Sequence, residues 1–381
     1  MASDLCATPE HQAFRELVRK FTEEEMRPRA REFDEAGRID KALFKTMGDL
    51  GMLGLRYDPA YGGAGLDWTF SAVMHEELGR SDNAGATLAV SVHTEMATPS
   101  LAEFGNEDLK RKYLVPAIAG ETVSAIAVTE PDAGSDVSGI KTRAVRDGDD
   151  WVINGSKTYI TNAANADWLC LLAVTDPDAS HGGFSQIILP TDAPGVRFDL
   201  LDKIGLWGSD TGQFYFEDVR VPIANTIGDI GRGFQQQMMQ FQHERLVACI
   251  SNLSAVELLW EETKKWCEER QLFGKPLSKM QNTQFKMADL WVQLQAAREL
   301  NRSAVRQISA GEDATTLITA AKVFAMNVCM RVASECMQLH GGYGYMKESM
   351  AGRAFVDTRL GTIGGGSDET MLQYLAKQLG F

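Results

Sequence analysis

Two short polar segments carry residue types that suit contact with an anion or a heteroaromatic ring. In residues 128–136 (VTEPDAGSD), small residues and a proline turn leave backbone N–H groups and hydroxyls free to face a ligand. In residues 158–162 (TYITN), an aromatic residue and a threonine stand two positions apart, on the same face of a strand. By residue type alone, an ordinary polar turn entering a sheet also explains the first segment.

Other motifs that bind phosphates or metals are missing from the sequence. The run Gly155-Ser-Lys-Thr158 resembles the end of a P-loop, but Ser156 separates the glycine from the lysine and the upstream glycine is lacking. No GxGxxG follows a strand and no GxSxG occurs, which argues against a Rossmann nicotinamide site and an α/β-hydrolase. The six cysteines and six histidines are scattered without CxxC or HExxH spacing, so we expect no metal site.

Composition narrows the function classes further. The 381 residues suffice for two or three domains, and 52 acidic against 38 basic residues give a net charge of −14, which opposes nucleic-acid and anionic membrane partners. No apolar run approaches the roughly 20 residues of a membrane span. The thinly spread cysteines indicate a reducing compartment. We therefore expect a cytoplasmic protein, or a mature mitochondrial matrix protein.

Three blocks of different periodicity must position the polar segments. From Thr8, a candidate N-cap, helical signals continue through residue 120 with one loop at residues 61–65. The period then becomes that of strands, and Asn154-Gly155 predicts a hairpin turn. Three long helical patterns follow, at 234–270, 278–309 and 313–340. The predicted division is a helical domain at 1–122, a β domain at 123–233 and a helical bundle domain at 234–381.

The order and spacing of five segments resemble the acyl-CoA dehydrogenase family of flavoproteins. The segments are 127–136 (AVTEPDAGSD), 154–162 (NGSKTYITN), 269–275 (ERQLFGK), 338–342 (QLHGG) and the final glycine-rich turn 363–369 (IGGGSDE). The resemblance covers nearly the whole chain. It implies the mixed α+β fold of that family, with an N-terminal helical domain, a central β domain and a C-terminal four-helix bundle.

The resemblance also implies a bound FAD. Thr161 would lie near the flavin N5, and Tyr159 would cover one ring face where well-studied members have tryptophan, so the stacking area is smaller. Arg270 would reach the FAD diphosphate across a subunit interface, a role that suits arginine. On charge and dipole grounds alone, Arg270 is a cation at a helix C-terminus. The other implied cofactor residues are Val128, Thr129, Gly134, Ser135, Phe273, Gln281, Gln338, Gly341, Gly342, Ser367 and Glu369.

Oxidation of an acyl thioester to the 2-enoyl form needs a base for the α-proton and a hydride acceptor at the β-carbon. In many family members the base is a glutamate of the C-terminal turn, where this sequence has Gly365. The resemblance implies Glu244 as the replacement, because isovaleryl-CoA and long-chain acyl-CoA dehydrogenases have Glu-Arg-Leu here and glycine in the later turn. The turn is also similar to that of bacterial citronellyl-CoA dehydrogenases. The alternative for Glu244 is an acid of the first helical turn, stabilised by the dipole or paired with Arg245.

From this resemblance we expect the backbone N–H of Gly365 and a flavin ribityl hydroxyl to polarise the thioester carbonyl while Glu244 removes the proton. Substrate contacts are assigned to Ser135, Arg245 and Gly366. The glycines at 364 and 365 predict room for a branched or bulky acyl chain, unless the turn collapses into that space.

The resemblance further implies electron-transferring flavoprotein as the acceptor and a homotetramer as the assembly. Two other classes stay open. One is an oxidase or monooxygenase of the same fold, whose reduced flavin reacts with oxygen. The other is a non-catalytic scaffold that has lost its base.

Overall fold

Residues 8–381 are described by a computed structural model of the chain; Cys6, counted among the thiols above, lies outside them. Within these residues, helices come first, a sheet of seven strands follows, and long helices end the chain. The predicted class, a mixed helix and sheet protein with an α-β-α order, is confirmed.

The N-terminal helices are short and frequently interrupted. The Thr8 hydroxyl accepts from the His11 N–H and caps the first helix, as predicted. The prediction of a single loop at 61–65 is wrong, because the chain also turns at Gly37 and Gly51, both with positive φ. The helices are α1 Pro9–Phe21, α2 Ala30–Ala36, α3 Lys41–Asp49, α4 Trp68–Leu78, α5 Ala84–Ser91, α6 Pro99–Phe104, α7 Glu107–Leu109 and α8 Val115–Ile118.

The central sheet has the strand order β1-β4-β2-β3-β7-β6, with β5 paired to β4 on a branch. Its core is formed by apolar residues of alternate strand positions, such as Ile153, Leu171 and Phe214. The strands are β1 Ser124–Ala127, β2 Arg143–Asp147, β3 Asp150–Thr161, β4 Trp168–Val174, β5 Phe184–Pro190, β6 Val196–Leu200 and β7 Thr211–Pro222.

The predicted hairpin at Asn154-Gly155 is wrong. Both residues lie inside β3, and the chain turns earlier, at Gly148, where φ is +64°. Gly155 instead marks an irregularity in the pairing of β3 with β7. A Cβ at Gly155 would lie 2.5 Å from Thr142 Oγ1, so close approach of β3 to a neighbouring segment explains this glycine.

The C-terminal bundle contains three long helices at the predicted places. They are α9 Gly233–Glu269, α10 Gln281–Ser309 and α11 Thr315–His340, with a short hairpin of β8 Gln271–Leu272 and β9 Lys275–Pro276 after α9. Two shorter helices follow, α12 Met350–Asp357 and α13 Asp368–Gln378. Buried residues such as Leu253, Leu294 and Val332 join α9, α10 and α11 in one core.

One helix of the bundle is apolar over a longer stretch than we expect from the sequence. The stretch Thr315–Tyr345 has the length and hydropathy of a membrane span, and 56% of its apolar window is buried inside the protein. Its few charged residues, Lys322 among them, interrupt the apolar run without lowering the mean hydropathy much. In the fold it is a core helix, packed against α9 and α10.

Candidate active site

The candidate base Glu244 lies against the glycine turn at residues 363–367. Glu244 is about three turns into α9, so a role as an acid of the first helical turn is ruled out. A Cβ built on Gly365 would lie 3.4 Å from Glu244 Oε1. The sequence-predicted pair, Glu244 and Gly365, is therefore brought together by α9 and the turn before α13.

The Glu244 carboxyl has no partner in the part of the chain that the structure describes. It accepts no hydrogen bond there and forms no ion pair, although it is only partly accessible. Burial raises the pKa of this carboxyl above its usual range, and the charges of Arg245 and Lys322 oppose that rise. A partly buried carboxylate without a partner suits a proton acceptor better than a structural ion pair.

Arg245 contacts the turn and leaves Glu244 unpaired. Its Nε donates to the carbonyl oxygen of Gly365 at 2.9 Å, and its guanidinium lies 5.6 Å from the ring centroid of Phe241. The alternative in which Glu244 and Arg245 form an ion pair is therefore wrong. Arg245 fixes the backbone that faces the carboxylate.

The glycine turn has a backbone that favours glycine at two successive positions. Gly365 and Gly366 have φ of +64° and +96°. Within residues 8–381, the N–H groups of Gly365, Gly366 and Ser367 donate to no protein acceptor. The Ser367 hydroxyl accepts from the N–H of Thr370 and caps α13, and Glu369 lies exposed in the first turn of that helix. Free N–H groups can donate hydrogen bonds to the oxygen of a bound carbonyl group, as in an oxyanion hole. The carboxylate lies beside that position.

Sequence reasoning missed Lys322, a buried residue of α11 beside the turn. Its ammonium donates to the carbonyl oxygen of Gly366 and lies 3.5 Å from Asp368 Oδ1. The signal was present, since this lysine stands alone in an apolar stretch of residues 317–326. The ammonium of a buried lysine needs hydrogen-bond acceptors, so a lysine in an apolar helix indicates that polar groups lie nearby.

The polar segment at 128–136 is anchored by a second buried lysine. Lys157 of β3 donates to the Val128 carbonyl at 2.7 Å and to Glu130 Oε1 at 2.9 Å. The Thr129 carbonyl accepts from the Thr158 N–H at 2.9 Å, which ties the same two segments. Lys157 and Glu130 were not among the predicted site residues, although both lie within the segments that carried the prediction.

Beyond this anchor, the end of the loop is open. Gly134 has no atom within 4 Å of a built Cβ, and Ser135 is exposed. In residues 8–381, the N–H groups of Gly134, Ser135 and Asp136 donate to no protein acceptor. These successive N–H groups form a concave nest of donors, which suits an anion or the polar edge of a heteroaromatic ring.

The regular alternation that predicts a shared face for Tyr159 and Thr161 is interrupted by a bulge in β3. The pairing of β3 with β7 shifts between Lys157 and Ile160, and Tyr159 adopts a φ of +60°. Its side chain is 70% exposed, whereas Thr161 is half-buried. A left-handed conformation is rare for tyrosine, and such strain concentrates at ligand sites.

The remaining predicted cofactor residues lie at the far end of the bundle. Arg270 follows α9 about 26 residues after Glu244, which is about 39 Å away at the rise of an α-helix. Trp266 stacks on His340 with ring centroids 4.9 Å apart, which brings the ends of α9 and α11 together. The residues exposed at this end are Arg270, Phe273, Gln281, Gln338, Gly341 and Gly342. One chain does not bring them to Glu244.

The sequence and the fold match known proteins along nearly the whole chain. Models of the acyl-CoA dehydrogenase N-terminal, middle and C-terminal domains match residues 8–121, 125–219 and 231–380. The long-chain specific acyl-CoA dehydrogenase of Sus scrofa mitochondria is 36% identical over 97% of this chain and 86% of its own length. The short-chain specific enzyme of Clostridium acetobutylicum is 37% identical over 96% of this chain and 97% of its own.

Solved structures agree with these relatives. The crystal structure of an acyl-CoA dehydrogenase from Geobacillus kaustophilus has a TM-score of 0.95 and 37% identity, and covers 98% of this chain and 99% of that one. The chain therefore belongs to the acyl-CoA dehydrogenase family. It is an FAD-dependent oxidoreductase that acts on CH–CH groups, as the family is.

The residues of the β domain fit this cofactor. An exposed aromatic ring at Tyr159, the hydroxyl of Thr161 and the free N–H groups of residues 134–136 offer a stacking face and donors for a heteroaromatic ring. Gly341 and Gly342 have no atom within 4 Å of a built Cβ, so a ligand can approach that backbone closely.

The geometry at Gly365 gives a first prediction. Gly365→Ala places a methyl in contact with the Glu244 carboxylate and imposes a positive φ on alanine, which costs about 1 kcal/mol of unfolding free energy. We expect flavin reduction to slow by about tenfold or more, because the base and the N–H donor separate. Stopped-flow absorbance and thermal unfolding measure the two effects.

Gly364→Ala is the matched control for this substitution. Its Cβ would meet only the Leu360 side chain and backbone, at 3.5 Å or more, and its φ is not positive. If the two variants show the same rate of flavin reduction and the same thermal stability, the role assigned to Gly365 beside Glu244 is wrong.

Proposed function

We propose that this protein oxidises an acyl-CoA thioester to the trans-2-enoyl-CoA and that Glu244 is the base. The supporting observation is a partly buried carboxylate, without a protein partner in residues 8–381, in contact with a turn that offers free N–H donors. Bound FAD supplies the acceptor for the hydride that leaves the β-carbon.

The residues of the chain divide the remaining work. The N–H of Gly365 donates to the thioester carbonyl, which makes the α-proton acidic. Glu244 takes that proton, and its raised pKa improves the match to the acid it has to deprotonate. Arg245 holds the Gly365 carbonyl, and Ser135, Gly366 and Arg245 line the thioester. Val128, Thr129, Ser367 and Glu369 belong to the segments that hold the cofactor.

In this proposal the acyl chain is branched or bulky, or of medium to long length. A Cβ built on Gly364 or Gly365 would lie 3.4 Å or more from its nearest neighbours, so the turn lies against Glu244 without filling the space at these two glycines. Leu360 and Ile363 beside the turn are partly exposed apolar residues, which suits a hydrocarbon. The relatives include both long-chain and short-chain enzymes, so membership of the family does not decide the chain length.

Electron-transferring flavoprotein is the proposed acceptor, as the family resemblance implies. An oxidase or monooxygenase of the same fold is the second candidate, and it would be recognised by rapid reaction of the reduced flavin with oxygen. A scaffold without a base is disfavoured by the unpaired Glu244. The five cysteines at 170, 249, 267, 329 and 336 are free thiols, which supports a reducing compartment such as the cytoplasm or matrix.

A homotetramer is the proposed assembly. Arg270 lies about 39 Å from Glu244 along α9, beyond the reach of a side chain, so a second subunit has to supply this cation to the cofactor. The end of the bundle is suited to such contact, since Phe273 is 92% exposed with a φ of +50°. Phe285 and Trp291 add apolar surface along α10.

Removal of the base gives the second prediction. Glu244→Gln keeps the shape of the side chain and should bind FAD and acyl-CoA, but its flavin should not bleach on anaerobic addition of substrate. In the unmodified protein the bleaching rate should rise with pH through a pKa above that of an ordinary glutamate, since only the ionised carboxylate accepts the proton.

Glu262→Gln is the control, because that carboxylate of α9 pairs with Lys265 near the surface. Normal bleaching of the Glu244→Gln protein would refute the role of Glu244. Bleaching lost in both variants would point to a general defect of α9.

A third prediction concerns substrate and acceptor. Citronellyl-like and isovaleryl-like CoA esters should reduce the flavin faster than straight short-chain esters under anaerobic conditions. Reoxidation should be fast with electron-transferring flavoprotein and slow in air. Equal rates on butyryl-CoA would remove the preference for branched chains, and fast peroxide formation would favour the oxidase.

Subunit mixing tests the shared cofactor site and gives the fourth prediction. Glu244→Gln and Arg270→Ala homo-oligomers should both be inactive or nearly so, the latter through weak FAD binding. Mixed oligomers contain sites with Glu244 from one subunit and Arg270 from another, so activity should return. No recovery on mixing, with oligomers shown to have exchanged, would contradict a site made by two subunits.

A further inference from the structure

Two buried cations hold successive carbonyl groups of the glycine turn. Arg245 of α9 donates to Gly365 and Lys322 of α11 donates to Gly366. Lys322 is 1% exposed and Arg245 is 9% exposed. Each bond joins an ionised donor to a backbone acceptor away from water, which makes it stronger than an ordinary surface hydrogen bond.

The two bonds determine where the turn directs its N–H groups. In a trans peptide the N–H points opposite to the C=O of the same unit. The carbonyl of Gly366 shares its peptide with the N–H of Ser367, so Lys322 fixes the direction of that donor. Arg245 fixes the N–H of Gly366 in the same way. Successive carbonyls of an extended chain alternate in direction, and the positive φ values at Gly365 and Gly366 are what let both face the bundle.

The charged and titratable neighbours of Lys322 come from two elements, α13 and α9. Asp368 of α13 lies 3.5 Å from its ammonium, and Asn327 donates to the other oxygen of Asp368 at 2.7 Å. From α9, Arg245 and Cys249 face it, and burial raises the pKa of the Cys249 thiol to about 12, so this thiol is neutral near pH 7. Burial lowers the pKa of Lys322, and Asp368 opposes that change. The cation is thus held beside both the turn and Glu244.

We propose that Lys322 is a positioning residue of the dehydrogenation: its ammonium holds the Gly366–Ser367 peptide, keeps the turn against Glu244 and places a positive charge near the base. The inference rests on the function proposed for Glu244. Lys322 touches neither substrate nor cofactor in this assignment. It acts through the turn and through the field at the carboxylate, where it opposes the effect of burial.

Neutral and charged replacements separate these effects from folding. Lys322→Met removes the charge and the donor, Lys322→Gln retains a donor without the charge, and Lys322→Arg retains both. The matched control is Lys286→Met, which removes a lysine of α10 whose ammonium pairs with Glu335 on α11. FAD content and thermal unfolding are measured for each holoenzyme before any other comparison.

The first readout is the pH profile of anaerobic flavin reduction. Loss of a cation raises the pKa of a carboxyl, and Glu244 has to be ionised, so the acidic limb should move to higher pH in the Met and Gln variants. At pH 7 the Met variant should reduce its flavin at least about tenfold more slowly. The Arg variant should restore the original limb, and the Lys286→Met profile should match that of the unmodified protein.

The second readout is equilibrium binding of the trans-2-enoyl-CoA formed from the best substrate. This needs no turnover, and the Met variant should bind it more weakly because the turn that carries the Gly365 N–H is no longer held through Gly366. If the Met variant does not fold, the Gln variant decides through its acidic limb.

An unchanged limb with unchanged product affinity in the neutral variants would overturn the inference. That result is distinct from failure of the proposed function, in which no acyl-CoA bleaches the unmodified protein or Glu244→Gln bleaches normally.

Discussion

Two buried cations from neighbouring helices hold the backbone of a turn that carries no side chain at its centre. Arg245 and Lys322 donate to the carbonyls of Gly365 and Gly366, and the Glu244 carboxylate lies against the same turn without a partner of its own in residues 8–381. Anchoring by charged donors compensates for the freedom that glycine gives a chain. The rigid backbone can then offer free N–H groups beside a carboxylate, a geometry that would relax if any of the three parts moved.

Because the proposed base lies on helix α9 and not in the turn, the helix and not the loop fixes its position. A glutamate in the turn would move with the loop, whereas Glu244 is fixed by α9, whose neighbours Leu246 and Val247 are fully buried. The turn therefore needs to supply only backbone. Glycine meets that need because an L side chain at Gly365 would combine a positive φ with contact to the carboxylate. Glycine at position 365 and the acid at position 244 are therefore two parts of one arrangement.

The sequence predicted the order of helices and strands, the long bundle helices and the pairing of Glu244 with the glycine turn, because periodicity and family motifs are local signals. It misplaced the hairpin at Asn154-Gly155, since a glycine required by close approach to Thr142 has the same signature as a turn glycine. It missed Lys322 and Lys157, whose partners are distant backbone carbonyls that no spacing in the sequence reveals. The sequence also does not give the distance between Arg270 and Glu244. That distance depends on α9 being one continuous helix over the residues between them.

The length of α9 bears on how the protein assembles. A chain of net charge −14 gains nothing from its overall field when it binds an anionic cofactor, so binding depends on local donors. Along α9, Arg270 at the far end of the bundle lies about 39 Å from Glu244 and the donors of residues 365–367 beside it. If one cofactor uses both, it bridges two subunits. Cofactor binding then stabilises the assembly and the assembly raises cofactor affinity, by the same free energy in each direction.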